Sequence, residues 1–389
     1  MKVDLLIVGA GASGCAAAIS YKRKNPSKSV LILESGPEVL RKVKISGNGR
    51  GNFTNENLDA DIYNSSDFVY EVIGNDGRDD VLDFFASLGM AYHMDEEGRY
   101  YPYSETAKTI VYVLKREMEL LGIAVSLNSK VVKITKTEDF KVVTQDGTNY
   151  LAKSVIVASG GKNYSTLGSD GSMYPILESL GHRLTPLYPS NIYIKVEEKD
   201  VCKKLSGLRF NATIYLMNAD KIYYYEKGEL LFKDDALSGI VTFNISNKLA
   251  YLYKTKRAKN PQLVVDFCKE FDTESLVKLV ISSKDIKETL YGIVRPELAD
   301  IICERSNDAK EIIKNLASFR FSVKSLGDFE HAQVTSGGIN TDDVRGNLES
   351  IMTKGLYIVG DALDVDAPSG GYNLSFAFLS GIKAGESVE

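Results

Sequence analysis

A glycine-rich turn near the start of the chain constrains the fold more than any other feature. The apolar run at 3–8 leads into the sequence GAGASG at 9–14, and an alanine-rich segment of helical character follows. A second apolar run comes next, at 30–33. This order of strand, glycine turn, helix and strand predicts a tight βαβ unit in a parallel sheet, with the turn facing the phosphates of a dinucleotide.

Three glycines and one acidic residue carry this prediction. Gly9 allows the sharp bend, Gly11 lets the backbone approach a pyrophosphate, and Gly14 lets helix and strand pack closely. Glu34 ends the second strand, 20 residues after Gly14, where a carboxylate accepts hydrogen bonds from a ribose diol. Because an acid at this position disfavours a 2′-phosphate, the site favours FAD or NAD over NADP.

The C-terminal region distinguishes FAD from NAD. The apolar run at 355–359 ends in Gly360 and Asp361, and the sequence SGGYNLSF follows at 369–376. An aspartate at the end of this strand can bind the ribitol or the pyrophosphate. The helix that begins near Asn373 points its positive N-terminus at the pyrimidine end of a flavin, which stabilises the anion of the reduced ring. These features favour FAD, and an ordinary turn with glycine caps is the alternative interpretation.

A polar loop at 41–55 has the sequence RKVKISGNGRGNFTN. Its many small, cationic and hydrogen-bonding side chains keep it out of a hydrophobic core. A cluster of Gly and Asn is usually an exposed loop, and the functional alternative is a loop that wraps a polyanionic cofactor. In the second case Arg50 is directed at a phosphate or at the flavin.

The charge and the cysteine content argue against several classes of function. Lys and Arg number 47 against 52 Asp and Glu, a net charge of −5 with the two signs interleaved. Without a basic surplus or a visible basic stripe, we do not expect a nucleic acid as the main partner. Four scattered cysteines and three histidines without ligand spacing argue against a metal site and a dithiol relay. No apolar run approaches the roughly 18 residues of a membrane helix, and sparse cysteine favours the cytoplasm.

The sequence changes character near residue 190, where short antiparallel β segments replace the α/β pattern, and the α/β pattern returns near the C-terminus. We therefore predict an α/β fold in three parts. These are an FAD-binding domain at 1–189 and 332–389, an inserted β domain for the substrate at 190–270 and 318–331, and a helical subdomain at 271–317. Within the first part we expect helices at 79–89 and 106–121, and strands at 130–135, 140–144, 149–151 and 154–158.

Several stretches together resemble one known family. They are the 41–55 loop, VIVASGGKNYSTLGSDG at 155–171 and GLYIVGDALDVDAPSGGYNLSFAFLSG at 355–381. The chain resembles, over essentially its whole length, the YhiN/BaiN-like family of bacterial FAD-dependent oxidoreductases, whose members include aminoacetone oxidases and dehydro-bile acid reductases. The resemblance implies non-covalent FAD in a glutathione-reductase-like Rossmann domain, with an inserted β domain that carries a helical subdomain. Gly51 departs from the family pattern, which usually has Cys there, so we expect no thiol chemistry at this position.

The resemblance also implies which residues bind FAD. Those on the pyrophosphate and the adenosine are Gly9, Gly11, Ala12, Ser13, Gly14, Glu34, Ser35 and, through its backbone to adenine, Val132. Those lining the rest of the cofactor are Lys42, Ser46, Gly49, Arg50, Asn52, Thr54, Ala158, Ser159, Gly160, Gly360 and Asp361. The residues that approach the flavin ring are Gly371, Tyr372, Asn373 and Leu374.

Tyr372 and Arg50 are the candidate catalytic residues. Tyr372 lies in a glycine-flanked loop, so its phenol can either relay a proton at the mouth of the pocket or pack against the flavin edge. His331 is either a pocket residue or a surface residue, whereas His93 and His182 fit surface or capping positions better.

The predicted function is that of an FAD-dependent oxidoreductase acting on a small or medium organic molecule. Our first hypothesis is NAD(P)H-dependent reduction of an activated double bond. The sequence has no second glycine motif for NAD(P)H, which weakens this hypothesis without excluding it, since a nicotinamide can bind transiently over the flavin. The alternative within the class is an amine oxidase of the aminoacetone type that uses O2. From another class, the alternatives are a non-catalytic flavin redox sensor and an RNA-associated flavoprotein.

Overall fold

The computed structural model describes residues 1–268 and 271–389. Its internal contacts divide the chain into two compact units, Met1–Tyr188 with Phe329–Glu389, and Pro189–Asp328. Residues 269 and 270, the last two of the predicted 190–270 segment, lie outside the described residues. The predicted boundaries of the three parts stay a prediction.

The first unit is built from both ends of the chain. Its helices are α1 (Ala12–Lys24), α2 (Ser66–Ile73), α3 (Gly77–Ser87), α4 (Ala107–Leu120), α5 (Tyr174–Ser179) and α12 (Tyr372–Ser387). Its strands are β1 (Lys2–Val8), β2 (Val30–Leu33), β3 (Thr54–Asn55), β4 (Tyr92–Met94), β5 (Arg99–Pro102), β6 (Ala124–Ser126), β7 (Val131–Lys136), β8 (Phe140–Thr144), β9 (Asn149–Val157), β17 (Val334–Ser336) and β18 (Leu356–Ile358). Strand β10 (Tyr188–Ser190) lies at the boundary of the unit.

A seven-stranded sheet in the order β6-β2-β1-β9-β8-β7 forms the centre of this unit, and β18 also pairs with β9. Strands β1, β2, β6, β9 and β18 run parallel, whereas β7 and β8 are antiparallel additions. The sequence predicts separate strands at 149–151 and 154–158, but the structure has a single strand, β9. Ala152 in β9 pairs with Phe140 of the meander, and Val155 pairs with Leu356 of the parallel sheet. One continuous strand therefore serves both parts of the sheet.

Helices α1 and α12 pack closely because α12 carries glycines where it meets α1. A Cβ on Gly381 would lie 2.2 Å from the carbonyl oxygen of Ser13, and one on Gly385 would lie 2.3 Å from that of Ala17. This contact joins the N-terminal βαβ unit to the last helix of the chain. It therefore places the glycine turn and the start of α12 in the same compact unit.

The second unit is a closed barrel with helices attached. The barrel order is β11-β14-β13-β12-β15-β16. These strands are β11 (Ile194–Val196), β12 (Arg209–Asn218), β13 (Lys221–Lys233), β14 (Ala236–Ser238), β15 (Gln262–Asp266) and β16 (Phe319–Leu326). The helices are α6 (Lys199–Lys204), α7 (Ile240–Lys254), α8 (Thr273–Ile281), α9 (Ile286–Tyr291), α10 (Pro296–Glu304) and α11 (Ala309–Ala317). No helix in the described part of the chain is long and apolar enough to cross a membrane.

Candidate functional site

The glycine turn has the geometry of a phosphate-binding loop. Gly9 has φ +104°, and a Cβ there would lie 2.4 Å from the carbonyl oxygen of Ala158. A Cβ on Gly14 would lie 2.0 Å from the oxygen of Gly9, so only glycine lets β1 and α1 approach this closely. By contrast, no described atom lies within 4 Å of a Cβ built on Gly11, the residue before the first turn of α1. The turn thus leaves open space beside a helix N-terminus, which suits a diphosphate.

Glu34 is buried beside this turn, and its carboxylate is oriented by the backbone. The Oε2 atom accepts a hydrogen bond of 2.7 Å from the amide of Ala10, and Oε1 accepts one of 2.7 Å from that of Gly36. The hydroxyl of Ser35 donates to Oε1 at 3.3 Å. Two amides therefore orient the carboxyl group at the end of β2, where a ribose diol of a bound dinucleotide would donate to it.

Lys42 and Asp361 meet at the middle of the candidate site. The Lys42 ammonium donates to Asp361 Oδ2 at 3.2 Å, to Asn163 Oδ1 at 3.2 Å and to Ser169 Oγ at 3.4 Å. The Tyr174 hydroxyl donates to the backbone oxygen of Asp361 at 3.4 Å. Burial raises the pKa of Tyr174, and the charges of nearby carboxylates raise it further, so this phenol stays protonated.

Asn163, Ser169 and Thr335 belong to this cluster, although the sequence analysis did not select them. Asn163 is fully buried and donates to the backbone oxygen of Gln333 at 2.6 Å, and Thr335 Oγ1 accepts from the amide of Lys162 at 2.8 Å. These bonds fix the segment that follows β9 against β17. The run of small polar residues at 159–171 is the sequence signal that could have identified two of the three.

At the other end of the site, the polar loop packs against the start of α12. Gly371 has φ +98°, and a Cβ there would lie 2.4 Å from Asn52 Oδ1 and 2.6 Å from the backbone oxygen of Thr54. The Ser375 hydroxyl donates to Thr54 Oγ1 at 2.8 Å, and the Asn55 amide donates to the oxygen of Gly370 at 2.9 Å. The structure therefore brings together Asn52, Thr54 and Gly371, three residues predicted to line the cofactor.

The first residues of α12, Tyr372 to Leu374, make different kinds of contact. Asn373 accepts a hydrogen bond of 2.9 Å from the amide of Ala367 and donates one of 2.8 Å to its carbonyl, so the side chain fixes the preceding loop. The Tyr63 hydroxyl donates to the backbone oxygen of Tyr372 at 2.7 Å. Tyr372 and Leu374 are partly buried and pack against the core. Their approach to the flavin ring stays a prediction.

Arg50 is engaged by residues of the chain itself. Its guanidinium donates to the Glu105 carboxylate and lies 4.1 Å from the centre of the Tyr101 ring. The other oxygen of Glu105 contacts the Nε2 atom of His93. The hydrogen bond from Arg50 lowers the pKa of Glu105, which keeps this carboxylate ionised. The predicted contact of Arg50 with phosphate or flavin requires exchange of this partner and stays a prediction.

The remaining predicted positions are distributed along the same unit. Ser46 donates to the oxygen of Val43 at 2.8 Å, and no described atom lies within 4 Å of a Cβ built on Gly49. A Cβ on Gly160 would lie 2.5 Å from Ser169 Oγ, and the Ser159 hydroxyl donates to the Gly160 oxygen at 3.4 Å.

Val132 is exposed on β7. It borders a groove of about 350 Å³ between β7 and α5. Its predicted backbone contact with adenine is not tested by this geometry.

Other titratable residues have structural partners. Asp364 accepts a hydrogen bond of 2.8 Å from the Asn64 amide, and Asp366 accepts one of 3.0 Å from the Ser336 hydroxyl. His182 is buried at the end of α5, where its ring contacts the Leu177 oxygen at 3.0 Å. No group of three or more potential metal ligands occurs among residues 1–268 and 271–389.

Gly51 occupies the position where the resembling family usually has Cys. Its φ is +82°, and a Cβ there would lie 2.8 Å from the Cα of Ala107. A side chain larger than hydrogen therefore does not fit here without a shift of α4.

Burial raises the pKa of the Cys202 thiol to about 12 and that of Cys268 to about 11, so these thiols stay protonated.

The fold and the glycine turn define the chain as a Rossmann-type flavoprotein oxidoreductase that binds FAD. The HI0933-like protein Rossmann domain family matches residues 3–387, and the chain belongs to this family. The predicted fold class and the resemblance to YhiN/BaiN-like proteins are confirmed.

Three relatives align with nearly the whole chain. A 3-dehydro-bile acid delta(4,6)-reductase from Clostridium scindens is 32% identical, and the alignment covers 98% of this chain and 98% of that protein. A ribosomal RNA dihydrouridine synthase from Haemophilus influenzae is 28% identical with the same coverage of both chains. A protein of the same name from Escherichia coli is 25% identical and covers 97% of this chain, with 96% of its own length aligned. Because two of these relatives are named as enzymes of ribosomal RNA, the expectation that nucleic acid is not a partner stays a prediction.

Two solved structures show the same fold. The 3-ketosteroid-delta4-(5alpha)-dehydrogenase of Rhodococcus jostii is 14% identical, with a TM-score of 0.53 and 99% of this chain and 96% of that chain covered. A flavocytochrome c3 fumarate reductase is 15% identical, with a TM-score of 0.52 and coverage of 99% and 78%. At this level of identity the likeness concerns the fold alone.

Proposed function

We propose that this protein is a reductase that uses NAD(P)H to saturate a carbon–carbon double bond conjugated to a carbonyl group. The observation that carries the proposal is the agreement among the relatives aligned over nearly the whole chain. Their names denote a delta(4,6)-reductase and dihydrouridine synthases, and both activities add two hydrogens to such a bond. An unsaturated ketone of steroid-like size is the substrate class we favour.

The residues at the glycine turn fit FAD. The open space beside Gly11 would accommodate the pyrophosphate, Glu34 would accept hydrogen bonds from the adenosine ribose, and Asp361 would accept one from the ribitol. FAD, when bound, supplies the two-electron chemistry that connects the nicotinamide donor with the substrate. Overall, the double bond and NAD(P)H with one proton become the saturated product and NAD(P)+.

The protein contributes orientation, charge and a proton. The backbone amides at the start of α12 would face the pyrimidine end of a bound flavin and stabilise negative charge there. The phenol of Tyr372 delivers the proton that saturation of the double bond requires at the α-carbon. Arg50 orients a carbonyl or carboxylate of the substrate after release from Glu105. Each assignment makes a separate prediction about turnover.

Product analysis tests the proposal. The holoenzyme is incubated anaerobically with NADPH or NADH and a 3-oxo-4,6-diene steroid, and the product is examined by mass spectrometry. We expect a gain of two hydrogens for each double bond that is reduced, with matching oxidation of the nicotinamide. Oxidation of aminoacetone with release of hydrogen peroxide, without any steroid reduction, would support the amine oxidase instead.

Uridine in ribosomal RNA is a second candidate substrate, and the names of two relatives favour it. The same chemistry would reduce the 5,6 double bond of the uracil ring. Ribosomal RNA from cells with and without the gene is digested to nucleosides, and dihydrouridine is measured. A loss of dihydrouridine on deletion would identify RNA as the substrate, and an unchanged amount would leave the small molecule.

A further inference from the structure

The segment at 162–170 runs past the residues predicted to bind the adenosine ribose of FAD. A Cβ built on Gly168 would lie 3.8 Å from Oε1 of Glu34 and 3.7 Å from Oγ of Ser35. Glu34 is the acid whose carboxyl group is oriented towards a ribose diol by two amides. The segment therefore borders the predicted ribose position directly.

Both ends of this segment are attached to the candidate FAD site. The ammonium of Lys42 donates to Oδ1 of Asn163 at 3.2 Å and to Oγ of Ser169 at 3.4 Å. Asp170, the last residue of the segment, accepts a hydrogen bond of 2.7 Å from Lys130, which directly precedes β7. Because both ends are held in this way, only the middle of the segment is able to move without breaking contacts at Lys42 or Lys130.

The middle of the segment is a single turn whose flanking residues have unusual backbone angles. The turn is formed by Ser165–Leu167, and Tyr164 and Gly168 on its two sides have φ values of +53° and +106°. A left-handed conformation is uncommon for a residue that has a side chain, and such residues persist where their surroundings hold them. Contacts from outside the turn are therefore needed to keep it in place.

Glu330 supplies most of these contacts. Its carboxylate accepts hydrogen bonds from the amides of Ser165 at 3.0 Å and Thr166 at 3.3 Å, and from both hydroxyls, that of Thr166 at 2.6 Å. The hydroxyl hydrogen bonds lower the pKa of Glu330, so the carboxylate stays ionised and these bonds are charge-assisted. Arg41 adds one bond of 2.7 Å to the oxygen of Thr166. Since Ser165 and Thr166 are exposed, water competes for each bond and the attachment is able to open.

We propose that residues 162–170, here called the strap, form a gate across the adenosine half of the FAD site, and that Glu330 holds this gate closed. FAD enters or leaves when the turn at 165–167 separates from Glu330. All the partners of Glu330 named above are atoms of the chain itself, so the same bonds hold the strap in the flavin-free and in the loaded protein. Glu330 therefore controls how fast FAD exchanges more than how tightly it binds. The inference rests on FAD binding and not on the reaction proposed above.

The test measures both rates of FAD exchange in the full chain. Entry is followed by flavin fluorescence after the flavin-free protein is mixed with FAD, and exit by the replacement of bound FAD with an excess of tritium-labelled FAD. Glu330→Gln keeps the shape of the side chain and removes its charge. Glu178→Gln is the matched control, because Glu178 is an exposed acid on α5 in the same unit. S165A/T166V removes the two hydroxyls from the strap itself.

We expect Glu330→Gln to raise the entry and exit rate constants together by about tenfold, with a change of less than about threefold in the dissociation constant. The control should leave both rate constants unchanged. S165A/T166V should raise both by about fivefold, and its combination with Glu330→Gln should add little, because the two changes remove the same bonds. The melting temperature of each flavin-free variant should stay close to that of the unaltered protein.

Unchanged entry and exit rates in both Glu330→Gln and S165A/T166V would overturn the proposal. A faster exit with an unaltered entry rate and a matching loss of affinity would show that the strap binds FAD directly and is not a gate. If Glu178→Gln changes the rates as much as Glu330→Gln does, the net charge of the protein and not the strap controls the exchange of FAD.

Discussion

The Nζ atom of Lys42 lies 3.2 Å from Oδ2 of Asp361, and this contact joins residues that are 319 positions apart in the chain. It links the polar loop near the N-terminus to the end of β18, so both ends of the chain meet where the middle of FAD is expected. The same ammonium also bonds to Asn163 and Ser169. Lys42 therefore organises the centre of the candidate site.

Replacing Lys42 with methionine keeps the length of the side chain and removes its charge. We expect Lys42→Met to weaken FAD binding by about 10- to 100-fold, because loss of charge-assisted hydrogen bonds leaves Asp361 without its cation. The measurement is the dissociation constant of FAD, from fluorescence titration of the apoprotein. Lys44→Met is the matched control, because Lys44 in the same loop pairs with Glu38 on the surface. Equal effects of the two substitutions would refute the role of Lys42.

Gly11 tests the pyrophosphate position. Its φ is −80°, and no described atom lies within 4 Å of a Cβ built there, so Gly11→Val should fold. We expect the variant to lose bound FAD, because the branched side chain occupies space needed by the phosphates. Gly292→Val is the control at an exposed glycine with φ −84°. Retention of flavin absorbance by purified Gly11→Val would place the pyrophosphate elsewhere.

Tyr372 tests the source of the proton. We expect Tyr372→Phe to keep FAD and to lower turnover by about 10²-fold, because the general acid is lost while the ring remains. Steady-state rates are divided by the flavin occupancy of the same sample. Tyr63→Phe removes the hydrogen bond to the Tyr372 backbone oxygen and leaves the Tyr372 phenol in place, so we expect much less effect. Unchanged turnover in Tyr372→Phe would make this residue a structural one.

Gly49 and Gly51 form a natural pair for a stability experiment. Both have φ +82°, but a Cβ on Gly51 would lie 2.8 Å from the Cα of Ala107, whereas one on Gly49 meets no described atom within 4 Å. We expect Gly51→Ala to lower the free energy of unfolding of the flavin-free protein by about 1–3 kcal/mol more than Gly49→Ala. Denaturant unfolding measures the difference. Equal losses would show that α4 yields to a side chain at Gly51.

Asp4 predicts a dependence of stability on pH. Its carboxylate accepts from Lys153 at 2.8 Å and from the amide of Ser29 at 2.9 Å, and these bonds lower its pKa in the folded protein. A lowered pKa stabilises the fold above the unfolded value of about 3.9, and this stabilisation is lost as the pH falls through the folded value. We therefore expect Asp4→Asn to be less stable than the unaltered protein near neutral pH.

The difference should shrink steadily below about pH 5, where the unfolded-state carboxyl begins to protonate. Urea unfolding at a series of pH values gives the two curves. Glu138→Gln is the control, since Glu138 is an exposed acid in the turn after β7. If the curves for Asp4→Asn and the unaltered protein run parallel from neutral to acid pH, Asp4 does not contribute to the pH dependence of stability.

The sequence predicts those parts of the site whose geometry is local. Gly9, Gly14 and Glu34 lie in one short βαβ unit, so the spacing of glycines, strand and acid is enough to place them. Asn163 could not be placed in this way, because its bond to Lys42 joins segments 121 residues apart. The single strand β9 was predicted as two pieces because its two halves pair with different neighbours and alternate differently. The closed barrel depends on strand closure, which local periodicity does not encode.

Arg50 is a second residue whose contact in the structure could not be predicted from the local sequence. Its cationic, glycine-flanked context predicted a contact with phosphate or flavin. The structure places its guanidinium on Glu105, which is 55 residues away and belongs to a turn that nothing in the local sequence connects with the loop. Exchange of Glu105 for a substrate oxygen depends on the relative free energies of the two contacts, which a residue pattern does not encode.

Anaerobic rapid mixing tests the central claim most directly. The FAD-loaded protein is mixed with NADH or NADPH, the visible flavin absorbance is followed, and an unsaturated 3-oxo steroid is then added without O2. The account predicts loss of the oxidised flavin absorbance with at least one nicotinamide, and its return when the steroid is added, with formation of saturated product. If neither nicotinamide reduces the flavin, or if the reduced protein is reoxidised by O2 alone and not by the steroid, the protein is not the reductase proposed here.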